Sequence, residues 1–314
     1  MAIPIPGAAA RLAPAPPPAE RGAAARHEAR AASGFLALSM AGFLAFTILP
    51  IIGSLVMAFF DWPVFGDRSF TGLSNFSTLL RSDPVFHRVL GNTVLFVVLY
   101  LPLNIVVSMA LAVWISPKVR ARGVYRVLFF LPAVTPMVAN AIVWQLLLTP
   151  RGVVDGLWKS VTGSDAPNFL GSTTWAMGCV VVMSVWQGFG YNMLVFSAAL
   201  DAVPSTLVEA ATVDGAGPIR RFFTIVLPLL SPSMFFAVTM TLITSFQVFI
   251  QPYILTGGGP GVSTETLVMY LYRIGFEQFQ MGLAAATAWV LFIIIMAVTA
   301  LQFIGQKRWV HYDN

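Results

Sequence analysis

The sequence predicts an all-α integral membrane protein with six membrane-spanning helices. Hydrophobic residues make up 57% of the 314 residues, charged residues make up only 10%, and the mean hydropathy is +0.80. A soluble domain needs far less apolar content. Six stretches each reach the roughly 20 apolar residues that cross a bilayer core as a helix. Alternation of polar and apolar residues over about ten positions, which membrane barrel strands show, is missing.

The six predicted spans lie at 34–60, 89–115, 125–148, 173–199, 232–255 and 282–304. Their interiors contain no Lys, Arg, Asp or Glu, and one such residue at mid-bilayer would cost about 2.5–3.5 kcal/mol. Several spans carry a proline, namely Pro50, Pro102, Pro132, Pro136 and Pro252. Because backbone groups freed by proline must find partners inside the protein, we expect these spans to be kinked and packed against neighbours.

The two ends of the chain are predicted to be tails. Residues 1–33 are rich in Ala, Pro and Arg, with four prolines between 14 and 18. Such a stretch buries too little apolar surface to offset its ordering entropy, so we expect a disordered tail. The first apolar run, 34–60, is long enough to span a bilayer, and we expect it to be retained rather than cleaved as a signal peptide. Residues 305–314 form the predicted C-terminal tail.

The distribution of Lys and Arg predicts the orientation. Six spans place both termini on one side, and the segments on that side hold Arg11, Arg21, Arg26, Arg30, Lys118, Arg120, Arg122, Arg126, Arg220, Arg221, Lys307 and Arg308. The opposite segments hold Arg68, Arg81, Arg88, Arg151, Lys159 and Arg273. By the positive-inside rule this two-to-one bias places both termini and the loop at 200–230 in the cytoplasm. The same rule accounts for the net charge of +5 without nucleic acid as a partner.

The loop at 200–230 is the one long polar segment between apolar spans. Thr206 and Glu209 have capping-box spacing and Pro204 suits a first helical turn, so a short helix is predicted over 204–214. Gly215 ends this helix. A second short helix is predicted over 219–227, before Pro228.

The residues of this loop carry a resemblance to a known family. Glu209, Ala210 and Ala211 are followed by three residues that include Asp214, then by Gly215, nine further residues, and Ile225-x-Leu227-Pro228. This pattern resembles the cytoplasmic coupling loop of ABC-importer permeases that work with an external solute-binding protein.

Other segments are similar to the sugar-transporter branch of that family. They are the L-T-G-G-G-P run at 255–260, the F-E-Q-F run at 276–279, the W-Q-G-F-G run at 186–190 and the ending K-R-W-V-H-Y at 307–312. The ending resembles that of the first permease of a heterodimer, as in the maltose and glycerol-3-phosphate systems. The resemblance covers the chain from about residue 34 to its C-terminus.

The resemblance implies a multi-pass protein of the bacterial cell membrane that assembles with others. Its partners would be a second homologous permease, two ATPase subunits and an external solute-binding protein. The chain has no G-x-x-x-x-G-K-[ST] phosphate loop, so ATP and Mg²⁺ would be bound by the ATPase subunits. No cofactor and no catalytic residue are predicted in the chain itself.

The resemblance implies a sugar or a sugar-like solute, which amides and aromatic rings recognise. The candidate substrate-path residues are Asn140, Trp144, Gln145, Trp186, Gln187, Tyr191, Asn192, Gln247, Gln251 and Tyr253. Polar groups in a membrane face the bundle interior or a cavity, but an Asn or Gln also serves to join helices. Span interiors without cations favour a neutral solute, and glycerol-3-phosphate or a glycerophosphodiester is the alternative.

Three other classes of protein are alternatives to a permease. A membrane enzyme needs clustered ionisable or nucleophilic groups, whereas His27, His87, His311 and Cys179 are scattered, which also predicts no metal site. A secondary transporter usually has an acid inside the membrane, and the spans show none. A structural scaffold would give no transport defect when it is deleted.

Overall fold

A computed structural model describes residues 33–34, 36–115 and 119–306. The described chain is mostly helical, and one short antiparallel hairpin pairs β1 (Phe60–Asp61) with β2 (Ser69–Phe70). The chain divides into two units, Met1–Val56 and Met57–Asn314. Helix α1 makes up most of the described part of the first unit. Residues 1–32 and 307–314, nearly all of the two predicted tails, lie outside the described range.

The helices follow in chain order. They are α1 (Leu36–Met57), α2 (Ser74–Ser77), α3 (Pro84–Trp114), α4 (Arg122–Val134), α5 (Met137–Leu148), α6 (Val153–Thr162), α7 (Ala176–Asp201), α8 (Ser205–Val213), α9 (Pro218–Leu229), α10 (Ser231–Ser245), α11 (Ile250–Thr256), α12 (Leu267–Tyr272) and α13 (Met281–Gly305). Helix α9 contains a π-helical turn at Phe222–Val226.

The predicted membrane-spanning architecture is confirmed. Within the described residues, five helical stretches are long and apolar enough to cross a bilayer, and a sixth is counted if α9 and α10, bent by 70°, form one span. Four predicted spans correspond to α1, α3, α7 and α13. The third and fifth predicted spans, which were expected to be kinked at their prolines, are each broken into two separate helices.

The third span breaks between α4 and α5 at Thr135 and Pro136. Thr135 is extended, with φ −69° and ψ 138°, as expected of a residue that precedes proline. Pro136 also cannot bond to the carbonyl of Pro132, four residues earlier. The Asn140 side chain donates to that carbonyl at 3.2 Å, and the Gln187 side chain donates to the carbonyl of Thr135 at 3.1 Å. The backbone oxygens that the break leaves without a helical partner therefore receive hydrogen bonds from side chains inside the bundle.

The fifth span breaks between α10 and α11, where Phe249 has φ −140° and ψ −61°. Pro252 lies two residues into α11 and has no N–H to give to the carbonyl of Val248, four residues earlier. Thr266 donates its hydroxyl to that carbonyl at 2.7 Å. Residues 246–249 are thus an unwound segment with a fixed partner, rather than part of a helix.

Helix α7 packs closely on both α4 and α3 within the second unit. A Cβ at Gly190 of α7 would lie 2.5 Å from the carbonyl oxygen of Phe129, so α4 approaches this position through backbone atoms. Ser108 of α3 donates to the carbonyl of Phe189 at 3.0 Å. Small residues permit this close packing where the hydrophobic effect does not drive helices together.

Candidate functional site

Helix α8, the predicted coupling helix, begins one residue later than predicted. Pro204 is its N-cap, with φ −60° and ψ 123°, and no side chain caps the first turn. The predicted capping box between Thr206 and Glu209 is therefore wrong. The extended conformation that Pro204 adopts sets the start of the helix instead.

The end of α8 is a Schellman motif centred on Gly215. This glycine has φ +77°, a conformation that costs other residues energy. The amide of Ala216 donates to the carbonyl of Ala211 at 2.9 Å, and the amide of Gly215 donates to that of Thr212 at 3.1 Å. This pair of bonds defines the motif and satisfies two of the last carbonyls of the helix. The predicted stop at Gly215 is confirmed.

The carboxylates of this segment face outward. Glu209, Ala210 and Asp214 are exposed, and Ala211 is half-buried. Within the described chain, the side chains of Glu209 and Asp214 make no hydrogen bond or ion pair. The helix therefore presents two unpaired acids beside a small-residue surface, which another protein can approach closely.

Helix α9 connects this segment to the membrane helices. Arg221 donates a hydrogen bond to the Thr212 hydroxyl of α8. Ile225, Leu227 and Pro228 are half-buried along α9. Leu227, like Phe222 and Val226 of the same helix, packs on a core formed by α3, α7 and α10, which contains Met109, Ala112, Ile115, Met193, Phe196, Leu230 and Ala237. A force on α8 would therefore reach these three helices.

A second connection at this end was not predicted. Asp201, the last residue of α7, forms ion pairs with Arg126 at 2.9 Å and Arg122 at 3.5 Å. The two arginines lie four residues apart on α4, so both can reach the same acid. That spacing, with an acid at the end of the fourth span, was the available sequence signal. The pairs join the start of the coupling loop to α4.

A cavity of about 370 Å³ lies beside the break between α10 and α11. Its lining consists of Phe96, Tyr100, Met137, Thr244, Ser245, Gln247, Val248, Phe249, Ile250 and Gln251, all uncharged. The side-chain amides of Gln247 and Gln251 bond to no other residue in the described part of the chain. Two of the predicted substrate-path amides are thus free to bind a ligand, next to three aromatic side chains.

Three other candidate side chains, those of Asn140, Gln145 and Gln187, join helices. Asn140 and Gln187 bond to each other across the break in the third span, as well as to the carbonyls described above. Gln145 donates to the carbonyls of Ile254 at 2.9 Å and Leu255 at 3.4 Å, near the end of α11. These amides supply donors to backbone oxygens that would otherwise be unsatisfied.

Asn192 holds three helices together. It is 3% exposed and donates to Asn104 of α3 at 2.7 Å and to Thr241 of α10 at 2.8 Å. Its own oxygen has no partner in the described chain. The residue lies at the junction of α3, α7 and α10.

The aromatic candidates lie at more open positions. Trp186, Tyr191 and Tyr253 are exposed, and Trp144 packs edge-on to Trp186 at 5.8 Å between ring centroids. The ring of Tyr253 stacks on Phe249 at 5.1 Å, and Phe249 lines the cavity. Of these four side chains, that of Tyr253 is therefore in contact with a residue of the cavity wall.

A buried carboxylate behind the same break was also not predicted. Glu265 is 6% exposed, and its Oε1 lies 2.8 Å from Nε of Arg273. Asn92 of α3 donates to the backbone carbonyl of Glu265 at 3.0 Å. Burial raises the pKa of the Glu265 carboxyl, and the nearby guanidinium of Arg273 offsets part of that rise. Glu265 directly precedes Thr266. The ion pair between Glu265 and Arg273 therefore helps to position the Thr266 hydroxyl, which donates to the backbone carbonyl of Val248.

Comparisons with known proteins agree with this arrangement. The family model described as "Binding-protein-dependent transport system inner membrane component" matches residues 105–311. A probable ABC transporter permease of Bacillus subtilis, YesP, is 35% identical over 292 residues, covering 92% of this chain and 94% of that protein. The sn-glycerol-3-phosphate transport system permease UgpA of Yersinia enterocolitica is 37% identical, covering 85% and 94%.

A solved structure shows the same fold. It is the crystal structure of a bacterial ABC transporter involved in the import of the acidic polysaccharide alginate, with a TM-score of 0.78 and 22% identity over 92% of this chain and 99% of the matched chain. The family match covers well over half of the chain, and two relatives exceed 30% identity over most of their length. The chain therefore belongs to the family of binding-protein-dependent transport system inner membrane components, the permease subunits of ABC importers.

Proposed function

We propose that this permease moves a neutral sugar or sugar-like solute into the cytoplasm, driven by a separate ATPase that acts on helix α8. An external solute-binding protein would deliver the solute, and a second homologous permease would complete the pathway. ATP and Mg²⁺ would be bound by two ATPase subunits. The uncharged, amide-bearing cavity at the broken fifth span is the observation that carries the choice of solute.

The coupling step is supported by the surface of α8. Its exposed Glu209 has no partner in the described chain, so it is available to an arginine of an ATPase subunit. The Schellman cap fixes where the helix ends, and Arg221 ties it to α9. Closure of the ATPase pair would shift the equilibrium between two packings of the helices by acting on this segment.

The solute class is supported by the chemistry of the cavity. Its volume falls within the range of small-molecule sites, roughly 300–1,000 Å³. Gln247 and Gln251 offer amide donors and acceptors for hydroxyls, and Tyr100 offers an aromatic face. Broken helices near the middle of a membrane protein are where transporters place their substrates. No cation lines this cavity among the described residues, which favours a neutral solute over a phosphorylated one.

The relatives leave an anionic solute as the second candidate. One of them is named for sn-glycerol-3-phosphate transport, and a phosphate would need cations that this cavity does not offer in the described chain. A second permease would have to supply them. Competition by glucose, by maltose and by glycerol-3-phosphate for uptake into proteoliposomes distinguishes the two candidates.

The coupling proposal is tested with Glu209→Lys in the full assembly. We expect the variant to reach the membrane in normal amount but to lose most of the ATP hydrolysis that the solute-loaded binding protein stimulates. Asp67→Lys is the matched charge reversal, because Asp67 is also exposed but lies between β1 and β2. Normal stimulation in Glu209→Lys, or an equal loss in both variants, would contradict the role of Glu209.

A further inference from the structure

Two adjoining cavities lie where the coupling segment meets α3. The first, of about 460 Å³, is polar in part and is bordered by the ends of α3 and α7 and by α4, α8 and α9. The second, of about 550 Å³, is apolar and runs along α3 against α9 and α10. Val113 and Phe222 line both. Together they form one elongated site with a charged end and an apolar end.

The charged end has an excess of positive charge and unsatisfied donors. Arg126 and Arg221 line it, and Asp201 is neutralised by its ion pairs with α4. Ser197 is only 2% exposed, and its hydroxyl has no hydrogen-bond partner in the described chain. Nε of Arg126 is likewise buried without a partner. Buried polar groups are almost always satisfied, and Ser197 and Arg126 both line this cavity. A ligand here that accepts hydrogen bonds would supply the missing partners once these side chains turn toward it.

The apolar end suits an acyl chain. Its lining consists of Ile105, Val106, Met109, Ala110, Val113, Phe222, Phe223, Leu227 and Met234, without a single polar side chain. These residues belong to α3, α9 and α10, which the sequence places at the edge of the membrane next to the coupling loop. A ligand that fills both cavities must therefore carry an anionic group at one end and a hydrocarbon chain at the other.

We propose that this site binds an anionic phospholipid. The phosphate group of the lipid lies against Arg126 and Arg221, and one acyl chain follows α3 between α9 and α10. Basic pockets between membrane helices recognise anionic headgroups in this way, and guanidinium groups pair readily with phosphate oxygens. The proposal goes beyond transport, since it does not depend on which solute is carried.

The position of the site gives the lipid an effect on coupling. Arg221 lines the charged end and also bonds to Thr212 of α8. Phe222 lines both cavities and belongs to the π-helical turn of α9. A bound phosphate would hold the Arg221 guanidinium in place and thereby fix α8 against α9.

The test measures lipid retention on the full chain purified with its partner subunits. Complexes are exchanged into nanodiscs with equal amounts of phosphatidylglycerol and phosphatidylethanolamine, and lipids that stay bound are counted by native mass spectrometry. We expect retained phosphatidylglycerol, and about fivefold less of it in Arg221→Gln, the effect of one basic residue near an anionic headgroup. Arg220→Gln is the matched control, because Arg220 is exposed and lines neither cavity.

A second pair of variants tests the apolar end without changing charge. Val113→Trp fills the junction of the two cavities and should abolish retention, whereas Val94→Trp should not. Val94 is on the same helix and is equally half-exposed, but it lines neither cavity. Any of three results would overturn the proposal. The complex could retain the two lipids equally, or Arg220→Gln and Arg221→Gln could have equal effects. A helix of a partner subunit could also crosslink to residues that line the two cavities. Transport can remain normal in any of these cases, so the proposed function is tested separately.

Discussion

The hydroxyl of Thr266 lies 2.7 Å from the carbonyl oxygen of Val248 and donates a hydrogen bond to it. The two residues are 18 positions apart, and Pro252 is the reason that the carbonyl is available. This bond holds the unwound segment that borders the cavity. The position of Gln247, one residue before Val248, therefore depends on Thr266, which lies between α11 and α12 in the chain.

Replacing Thr266 by valine should destabilise the protein without changing its shape. The Val248 carbonyl would lose its donor in a buried setting, at a cost of about 1–3 kcal/mol. We expect a lower thermal unfolding midpoint in detergent and weaker solute uptake. Thr266→Ser keeps the hydroxyl and gives up only a buried methyl group, so it should lose about 0.8 kcal/mol of stability and keep solute uptake. An unchanged midpoint in Thr266→Val would show that the bond contributes nothing.

Removing the side-chain amide should lower stability at Gln187 but weaken solute binding at Gln247. Gln187→Leu leaves the Thr135 carbonyl without a donor, so we expect about 1–3 kcal/mol of lost stability. Gln247→Leu removes no bond seen in the described chain, so stability should stay within about 0.5 kcal/mol. Its KM for the solute should rise instead. Thermal unfolding and uptake kinetics on both variants check the contrast, which fails if Gln247→Leu leaves KM unchanged.

Replacing Gly215 by valine should uncouple transport from ATP hydrolysis. The residue has φ +77° with nothing within 4 Å of a new Cβ, so the penalty is conformational and amounts to roughly 1–2 kcal/mol. The end of α8 would fray and stimulated ATP hydrolysis would fall. Gly217→Ala is the control, since Gly217 has φ −66° and equally open surroundings. Comparable activity of both variants would refute the role of the cap.

Adding a methyl group at Gly190 should weaken the packing of α7 on α4. In Gly190→Ala the new methyl group would meet the carbonyl oxygen of Phe129, a backbone atom that cannot turn away. Overpacking of this kind costs about 1–3 kcal/mol. Gly178→Ala on the same helix meets nothing within 4 Å and should be neutral or slightly stabilising. Thermal unfolding midpoints in one detergent decide between these outcomes.

The buried carboxyl of Glu265 should make stability depend on pH. Because its pKa is raised from the ordinary value of 4.5, the folded chain holds this proton at pH values where the unfolded chain has lost it. Its contribution is then fully present below pH 4.5 and declines as the pH rises through the folded value. Glu265→Gln should flatten that decline in the unfolding midpoint, whereas Asp67→Asn, at an exposed position, should not. Identical pH profiles for Glu265→Gln and the unmodified protein would rule this out.

The sequence was sufficient for the helical class, the number of hydrophobic stretches and the stop at Gly215, because apolar length and a glycine stop are local signals. It did not reveal that the third and fifth spans are broken. Pro136 and Pro252 were visible, but a proline shows only that a carbonyl is freed. Whether the helix bends or separates depends on donors such as Asn140 and Thr266, which only the tertiary structure brings near.

The same limit applies to the site. Asn140, Gln145, Gln187 and Asn192 cannot be told from Gln247 by residue type, since every one is an amide in an apolar span. Their neighbours make the difference, and those neighbours are distant in sequence. Asp201 was missed because its arginines lie on α4, more than 70 residues earlier in the chain. Glu265 is only eight residues from Arg273, but the sequence does not show that its carboxylate is buried.

The backbone bonds that close α8 at Gly215 involve none of the side chains on its outer face. Evolution, or a protein engineer, can therefore rewrite that face at Glu209, Ala210 and Asp214 to match a different ATPase while the attachment to the membrane helices stays the same. One permease scaffold could in this way be paired with a foreign motor by exchanging a few exposed residues.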